Sequence, residues 1–362
     1  MSTSQSIYAA SRPPLAPGQG EALCIWRRGQ QVHSACFGEA APSTPWVEDT
    51  LSPIFSATKV FSAACLLLAL HERGLTPALE VGELWPAFPA PHCSIAQVLS
   101  HRAGLAALAN TASVFELEAC RAAIEATPPQ LPSAAEPHAY HPHTYGPLVD
   151  ILMLQLTGLR IADFWESRVR RPLGLELYIG LPAELLPRVA HVRLPRAHEV
   201  QLPPTEFNRL YFSLGSPVYR AFHSIIGIPS VSSMRTLRVL ACGCPARGGV
   251  ASARGLAMAY QALLGLLPAA PFPAEVLQWL ATPLTVGFDA TLRTHTSFSC
   301  GAMCAPAELF PRAGGGPAFG HPGYGGTHAF ALPADGVSYA YTRNTLHPGP
   351  LPHAIPSPEA WL

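Results

Sequence analysis

Apolar and polar positions along this chain fall into stretches with distinct periods, and these predict most of its elements. Residues 22–26 (Ala-Leu-Cys-Ile-Trp) and 31–37 (Gln-Val-His-Ser-Ala-Cys-Phe) flank Arg27 to Gln30 with Gly29, which predicts a β-hairpin ended by Gly38. Residues 55–70 form an apolar run without Gly or Pro, enough for about four turns of buried helix. Residues 94–105 predict a short helix with a glycine stop. Ser113 and Glu116 have the spacing of a capping box, opening a helix that runs to 126 before Pro128 and Pro129. Residues 148–156 predict an apolar helix ended by Thr157-Gly158, and 161–170 an amphipathic one ended by Pro172-Leu173-Gly174-Leu175. Residues 176–248 carry prolines and aromatic residues (Phe207, Tyr211, Phe212, Tyr219, Phe222) with no period, and suit a pocket wall. Residues 252–266 return to helix. The last third turns to strands, with Asp335-Gly336 as the turn between 328–332 and 337–342.

Composition narrows what such a chain does. At 362 residues and 49% hydrophobic content it can bury one large core or two lobes. Lys plus Arg and Asp plus Glu both number 23, so the net charge is zero and there is no electrostatic footprint for nucleic acid or an anionic membrane. The first residues lack the basic-then-apolar pattern of an export signal. The long apolar run stops at His71-Glu72-Arg73, short of the roughly 18–20 residues a membrane span needs. These features predict a soluble, cytoplasmic protein with no nucleic acid or membrane partner, and they leave an oligomer open.

The nine cysteines are scattered and read as reduced, buried small hydrophobes. Cys242 with Cys244 and Cys300 with Cys304 miss the usual ligand spacing, and the alternating His138, His141 and His143 have no acidic partner at ligand spacing. No metal and no cofactor is expected.

Chemistry enters with Lys59, the only lysine in the sequence. Arginine stays charged at any accessible pH, whereas a desolvated lysine loses its proton and becomes a base. Ser56 precedes it by three residues, so on a helix its hydroxyl shares a face with the amine, as a serine nucleophile and its general base require. Ser-x-x-Lys alone also fits a capping serine with a snorkelling lysine. Tyr140, in the loop before the helix at 148–156, either delivers a phenol to the same site or packs with its hydroxyl satisfied. The glycines around 320–326 let a backbone approach a ligand closely or simply make a tight turn.

Together these pieces resemble the serine β-lactamase-like superfamily of class C β-lactamases, D-alanyl-D-alanine peptidases and related esterases. Ser56-Ala57-Thr58-Lys59 matches its first motif. Leu99-Ser100-His101-Arg102-Ala103-Gly104-Leu105 looks like its Leu-Ser-His-x-x-Gly-Leu segment, and Pro172-Leu173-Gly174 its Pro-Leu-Gly landmark. Tyr140-His141-Pro142 stands where the family has Tyr-x-Asn, and His321-Pro322-Gly323 where lactamases have Lys-Thr-Gly; the His-x-Gly form is that of the esterase-like members.

The resemblance implies an α/β (α+β) fold with an antiparallel sheet flanked by helices. The sheet lobe would comprise 20–75 and 250–362, a mainly helical lobe 76–249, and the active site would lie between them. It implies Ser56, Lys59 and Tyr140 as catalytic residues. The Ser56 and Tyr324 N–H groups would form the oxyanion hole, with His321, Gly323 and Gly325 at the substrate. Pro142 in place of the amide, and His321 in place of a fixed cation, make β-lactam, peptide and carboxylate-bearing substrates less expected. The expected activity is cleavage of small-molecule carboxylic esters through an acyl-Ser56 intermediate. An acyltransferase of the same fold is the alternative, and a non-catalytic binding protein the least expected. The short Pro-rich tail after Asn344 departs from relatives that finish with a helix packed on the sheet, which leaves coverage there to another segment or a partner subunit.

Overall fold

The computed structural model describes residues 15–130, 133–194, 205–228, 231–304 and 318–347. Strands β1 (Gly20–Arg27) and β2 (Gln30–Ala41) make the predicted hairpin. Arg28 and Gly29 at its turn have φ of 48° and 78°, the paired positive values of a turn whose twist matches the strands. The short β3 (Thr44–Pro45) lies beside β2, and β4 (Ser52–Phe55) leads into helix α1 (Thr58–His71). Four short strands follow: β5 (Ala112–Ser113), β6 (Leu177–Ile179), β7 (Ile225–Ile226) and β8 (Gly249–Ala251). Then come β9 (Thr285–Phe288), β10 (His295–Phe298), β11 (Met303–Cys304), β12 (Phe319–Pro322), β13 (His328–Leu332) and β14 (Val337–Arg343).

Among the described residues the main sheet has nine strands in the order β3-β2-β1-β14-β13-β12-β11-β10-β9, antiparallel throughout. The first and last strands, β1 and β14, therefore pair at mid-sheet, Cys24 opposite Ala340 and Ala340 opposite Ala329. That row of small side chains is smooth enough for helix α3 (Ala253–Leu263) to lie close against it. Polar bonds lock the contact. Ser338 Oγ donates to Ala257 O (2.8 Å), and Gln261 Nε2 donates to Ser338 Oγ (2.9 Å) and Gly336 O (3.2 Å). The opposite face carries large side chains, Leu23, Ile25, Phe330 and Tyr339, in a buried cluster that continues to Tyr140 and Phe298.

Helix α1 is apolar on every side and sits at the centre of the molecule, buried from Thr58 to Leu70. Phe61 packs on Trp165 (5.4 Å) and on Tyr260 of α3 (5.2 Å). Helix α2 (Tyr145–Thr157) and α4 (Ala274–Ala281) flank it.

Local expectations differ from the structure in four places. The capping box does not form at Ser113, which lies on β5 paired with β7; the helix there is Leu117–Glu125, with Glu116 as an uncapped N-cap. A capping box forms instead at Ser94 and Gln97, opening Ile95–Leu99. The helix expected at 161–170 relaxes into a π-turn at Glu166–Arg170, which includes an ion pair between Arg170 and Glu166. Residues 176–248 contain β6, β7 and several short helices, Glu206–Tyr211 and Pro217–His223 among them. Most of the Pro-rich tail falls outside the described residues. Among the described residues no helix is long and apolar enough to cross a membrane.

Candidate active site

β4 ends at Phe55 with φ of 48°, a left-handed conformation that costs a non-glycine residue about 1–3 kcal/mol. The turn leaves Ser56 half-buried at the N-terminal end of α1, two residues ahead of Thr58. Thr58 holds the turn: its Oγ1 donates to Phe55 O (2.6 Å) and accepts from Gly249 N of β8 (2.9 Å).

Lys59 is wholly buried in the first turn of α1. Its Nζ donates to Pro142 O (2.9 Å) and Ala246 O (3.0 Å), and lies 3.2 Å from Ser56 Oγ. Among the described residues no carboxylate pairs with it. Burial drives its pKa well below the ordinary lysine value, and the neighbouring Arg247 adds to the fall. A neutral amine has two N–H bonds and one lone pair. The two carbonyls take the hydrogens, and the lone pair is left for the serine hydroxyl.

Tyr140 is buried against the same centre, its ring 4.9 Å from Lys59 Nζ. Burial raises its phenol well above the usual range while the hydrogen bond with Ser56 opposes that, so it carries its proton at neutral pH. His101 (ring centres 4.7 Å apart) and Phe298 (5.9 Å) hold its ring. Asp289 holds its backbone: Oδ1 accepts from the N–H groups of Tyr140 (3.0 Å), Thr291 (2.8 Å) and Leu292 (2.9 Å). Burial raises the Asp289 carboxyl to about 6 despite these donors.

His321 on β12 lines the cleft, its ring 5.7 Å from Tyr140, with Nδ1 bonded to Pro322 O (2.7 Å) and Nε2 without a hydrogen-bond partner among the described residues. Burial, then the nearby Lys59, lowers it to about 3, so it is neutral as expected. Tyr324 also lines the cleft, and neither its N–H nor that of Ser56 has a backbone acceptor among the described residues. Gly323 and Gly325 do not line it. Gly323 spends its N–H on Thr327 O (2.6 Å), and a Cβ there would sit 2.4 Å from Ile54 O. Gly325 has φ of 82°, and a Cβ there would strike Leu346. Both glycines therefore serve close packing rather than substrate contact.

The alternating histidines have separate duties. His138 bonds Thr285 and Thr296, His141 accepts from Leu105 N and bonds Ala139 O, and His143 Nε2 accepts from Arg247 Nη1 (2.8 Å). Among the described residues no three His, Cys, Asp or Glu side chains gather as a metal site requires. The cleft, about 220 Å³, is lined by Ser56, Tyr140, His321 and Tyr324 together with Tyr211, Phe222, Ile228, Met234 and Arg247.

The sequence reading missed His101 as a support, Asp289, Arg247 and the two carbonyls on Lys59. His101 lay within a motif already singled out. Arg247 was visible as a lone charge between Ala246 and Gly248-Gly249.

A serine and a buried lysine at the start of a central helix, facing an antiparallel sheet, define a class. The chain belongs to the Beta-lactamase family, whose model matches residues 17–356. It is 28% identical over 358 residues to the Esterase/beta-lactamase LipL of Mycobacterium tuberculosis, an alignment covering 92% of this chain and 79% of that protein. A penicillin-binding protein homologue from Caulobacter crescentus superposes with a TM-score of 0.80 at 26% identity, covering 95% of this chain and 91% of that one. EstA from Arthrobacter nitroguajacolicus Rue61a gives 0.79 at 23% identity (96% and 90% covered). A family VIII carboxylesterase gives 0.77 at 22% (99% and 93%). The resemblance drawn from the motifs is thereby borne out.

Proposed function

We propose that this protein is a serine hydrolase that cleaves carboxylic esters through an acyl-Ser56 intermediate. One observation carries the reading: a wholly buried amine gives its hydrogens to two carbonyls and turns its remaining valence to a serine hydroxyl 3.2 Å away. Lys59 takes the proton as Ser56 Oγ bonds to the ester carbonyl carbon. The tetrahedral oxyanion is received by the Ser56 and Tyr324 N–H groups. When the ester C–O bond breaks, Tyr140 gives its proton to the departing alkoxide and regains one from the Lys59 ammonium. Water then attacks the acyl carbon, giving one proton to Lys59, and the carboxylic acid leaves as Ser56 recovers its own.

The relatives named as esterases support ester cleavage, and Pro142, with no side-chain amide where β-lactam-cleaving members have one, speaks against amide substrates. The sheet lobe and the helical lobe, divided as the sequence suggested, would meet at this cleft. The cysteines, all nine unpaired, suit a reducing compartment such as the cytoplasm.

The test is turnover of 4-nitrophenyl butyrate with and without an added alcohol, together with intact mass after reaction. A burst, steady hydrolysis and a Ser56 adduct are expected. Product formation only when the alcohol is present would make the protein an acyltransferase instead. No turnover, with Ser56 unlabelled by a fluorophosphonate, would sink the catalytic reading.

A further inference from the structure

The cleft holds a charge that this mechanism leaves unused. Lys59 is pinned by the carbonyls of Pro142 and Ala246, and the residue following each, His143 and Arg247, lines the cleft. The two side chains meet there, Arg247 Nη1 donating to His143 Nε2 at 2.8 Å. Accepting that bond requires a neutral imidazole, and burial, with Arg247 alongside, keeps His143 well below its ordinary pKa. The histidine therefore orients the guanidinium without cancelling its charge. Arg247 Nε is buried with no hydrogen-bond partner among the described residues. The groups around it that favour its charge are the side chains of Cys244, Cys242 and Tyr211, with no carboxylate among them.

A guanidinium keeps its proton at any working pH and presents five donors in a planar fork. Burying it beside a catalytic amine, with no counter-ion among the described residues, costs free energy. A ligand that brings the missing anion removes that cost.

We infer that Arg247 is the subsite for a carboxylate on the substrate, so that the ester cleaved at Ser56 carries an acidic group on its acyl or its alcohol portion. The inference rests on the acyl-serine reading and adds to it a substrate class. It reverses the expectation drawn from His321: a fixed cation is present, in the segment before β8 rather than on β12. Tyr211, Phe222, Ile228 and Met234 line the same cleft and give the substrate's apolar part its contact.

The test uses the whole protein and two matched ester pairs, each normalised to its hydroxide hydrolysis. Mono-4-nitrophenyl adipate against 4-nitrophenyl hexanoate places the carboxylate on the acyl side. 5-Butyryloxy-2-nitrobenzoate against 4-nitrophenyl butyrate places it on the leaving group. In the wild type at least one pair is expected to favour the carboxylate ester in kcat/KM by roughly tenfold to a hundredfold, the range of a charge-assisted bidentate contact. Arg247→Met is expected to cut that ratio at least tenfold, and Arg247→Lys to keep part of it. Any change that Arg247→Met makes in the basicity of Lys59 acts on both members of a pair and cancels in the ratio. A wild type that favours the neutral ester in both pairs, or a ratio unmoved in Arg247→Met, overturns the assignment while ester hydrolysis stands. Absence of any turnover with Ser56 unlabelled removes both readings. Should Arg247→Met fail to fold, the wild-type ratios and Arg247→Lys still decide.

Discussion

At the scale of single residues, the proposal turns on proton positions. Lys59 must be neutral, so activity falls as pH drops through its lowered pKa, and that acid limb lies well below the range in which an ordinary lysine titrates. A pH profile of kcat/KM whose acid limb lies near pH 10 would contradict this. Lys59→Met should reduce kcat by about 10²–10⁴-fold, the usual worth of a positioned base, with near-UV circular dichroism confirming the fold. Tyr140→Phe keeps the packing on His101 and Phe298 and removes only the hydroxyl. It should cost about 10²-fold in kcat; retention of wild-type turnover would remove the phenol from the mechanism. Ser56 and Lys59 were legible because a lone lysine three residues from a serine needs no tertiary information to stand out. Arg247 was not, because its meaning depends on His143, 104 positions away in the chain.

At the scale of elements, the ends of β4 and β12 are drawn together by the absence of one side chain. Gly323 lets Ile54 O approach to where a Cβ would be 2.4 Å away, which brings the strand before Ser56 beside the strand that carries His321. Gly323→Ala forces those strands apart. It should lower the melting temperature by several degrees, as a clash against rigid backbone costs about 1–3 kcal/mol, and lower kcat with it; an unchanged melting curve would refute the account. The hairpins and α1 were readable, since each announces itself by local pattern or by a run of apolar residues. The β4–β8 pairing and the parallel β5–β7 pair were not, because two- to four-residue strands carry no period. The failed capping box at Ser113 has the same origin: pairing of β5 with β7 claimed the serine for a strand.

At the scale of the whole molecule, buried neutral histidines tie stability to pH. Burial lowers His138, His141 and His328 to about 4, against about 6.5 unfolded. Between those values the unfolded chain binds more protons, so stability is complete above pH 6.5 and lost as pH falls toward 4. Asp289, raised to about 6, works in the opposite sense over part of that range but contributes only one proton. Each net proton is worth about 1.4 kcal/mol per pH unit, so urea midpoints should fall steeply from pH 7 to 5. A flat profile would show that these rings are solvated in solution.

The Lys59 nitrogen is also where chain positions 59, 142 and 246 converge. A refolding chain must bring all three together before the amine can be both sheltered and aimed. Recovered turnover should therefore lag behind recovered helicity, making catalysis a late reporter of assembly.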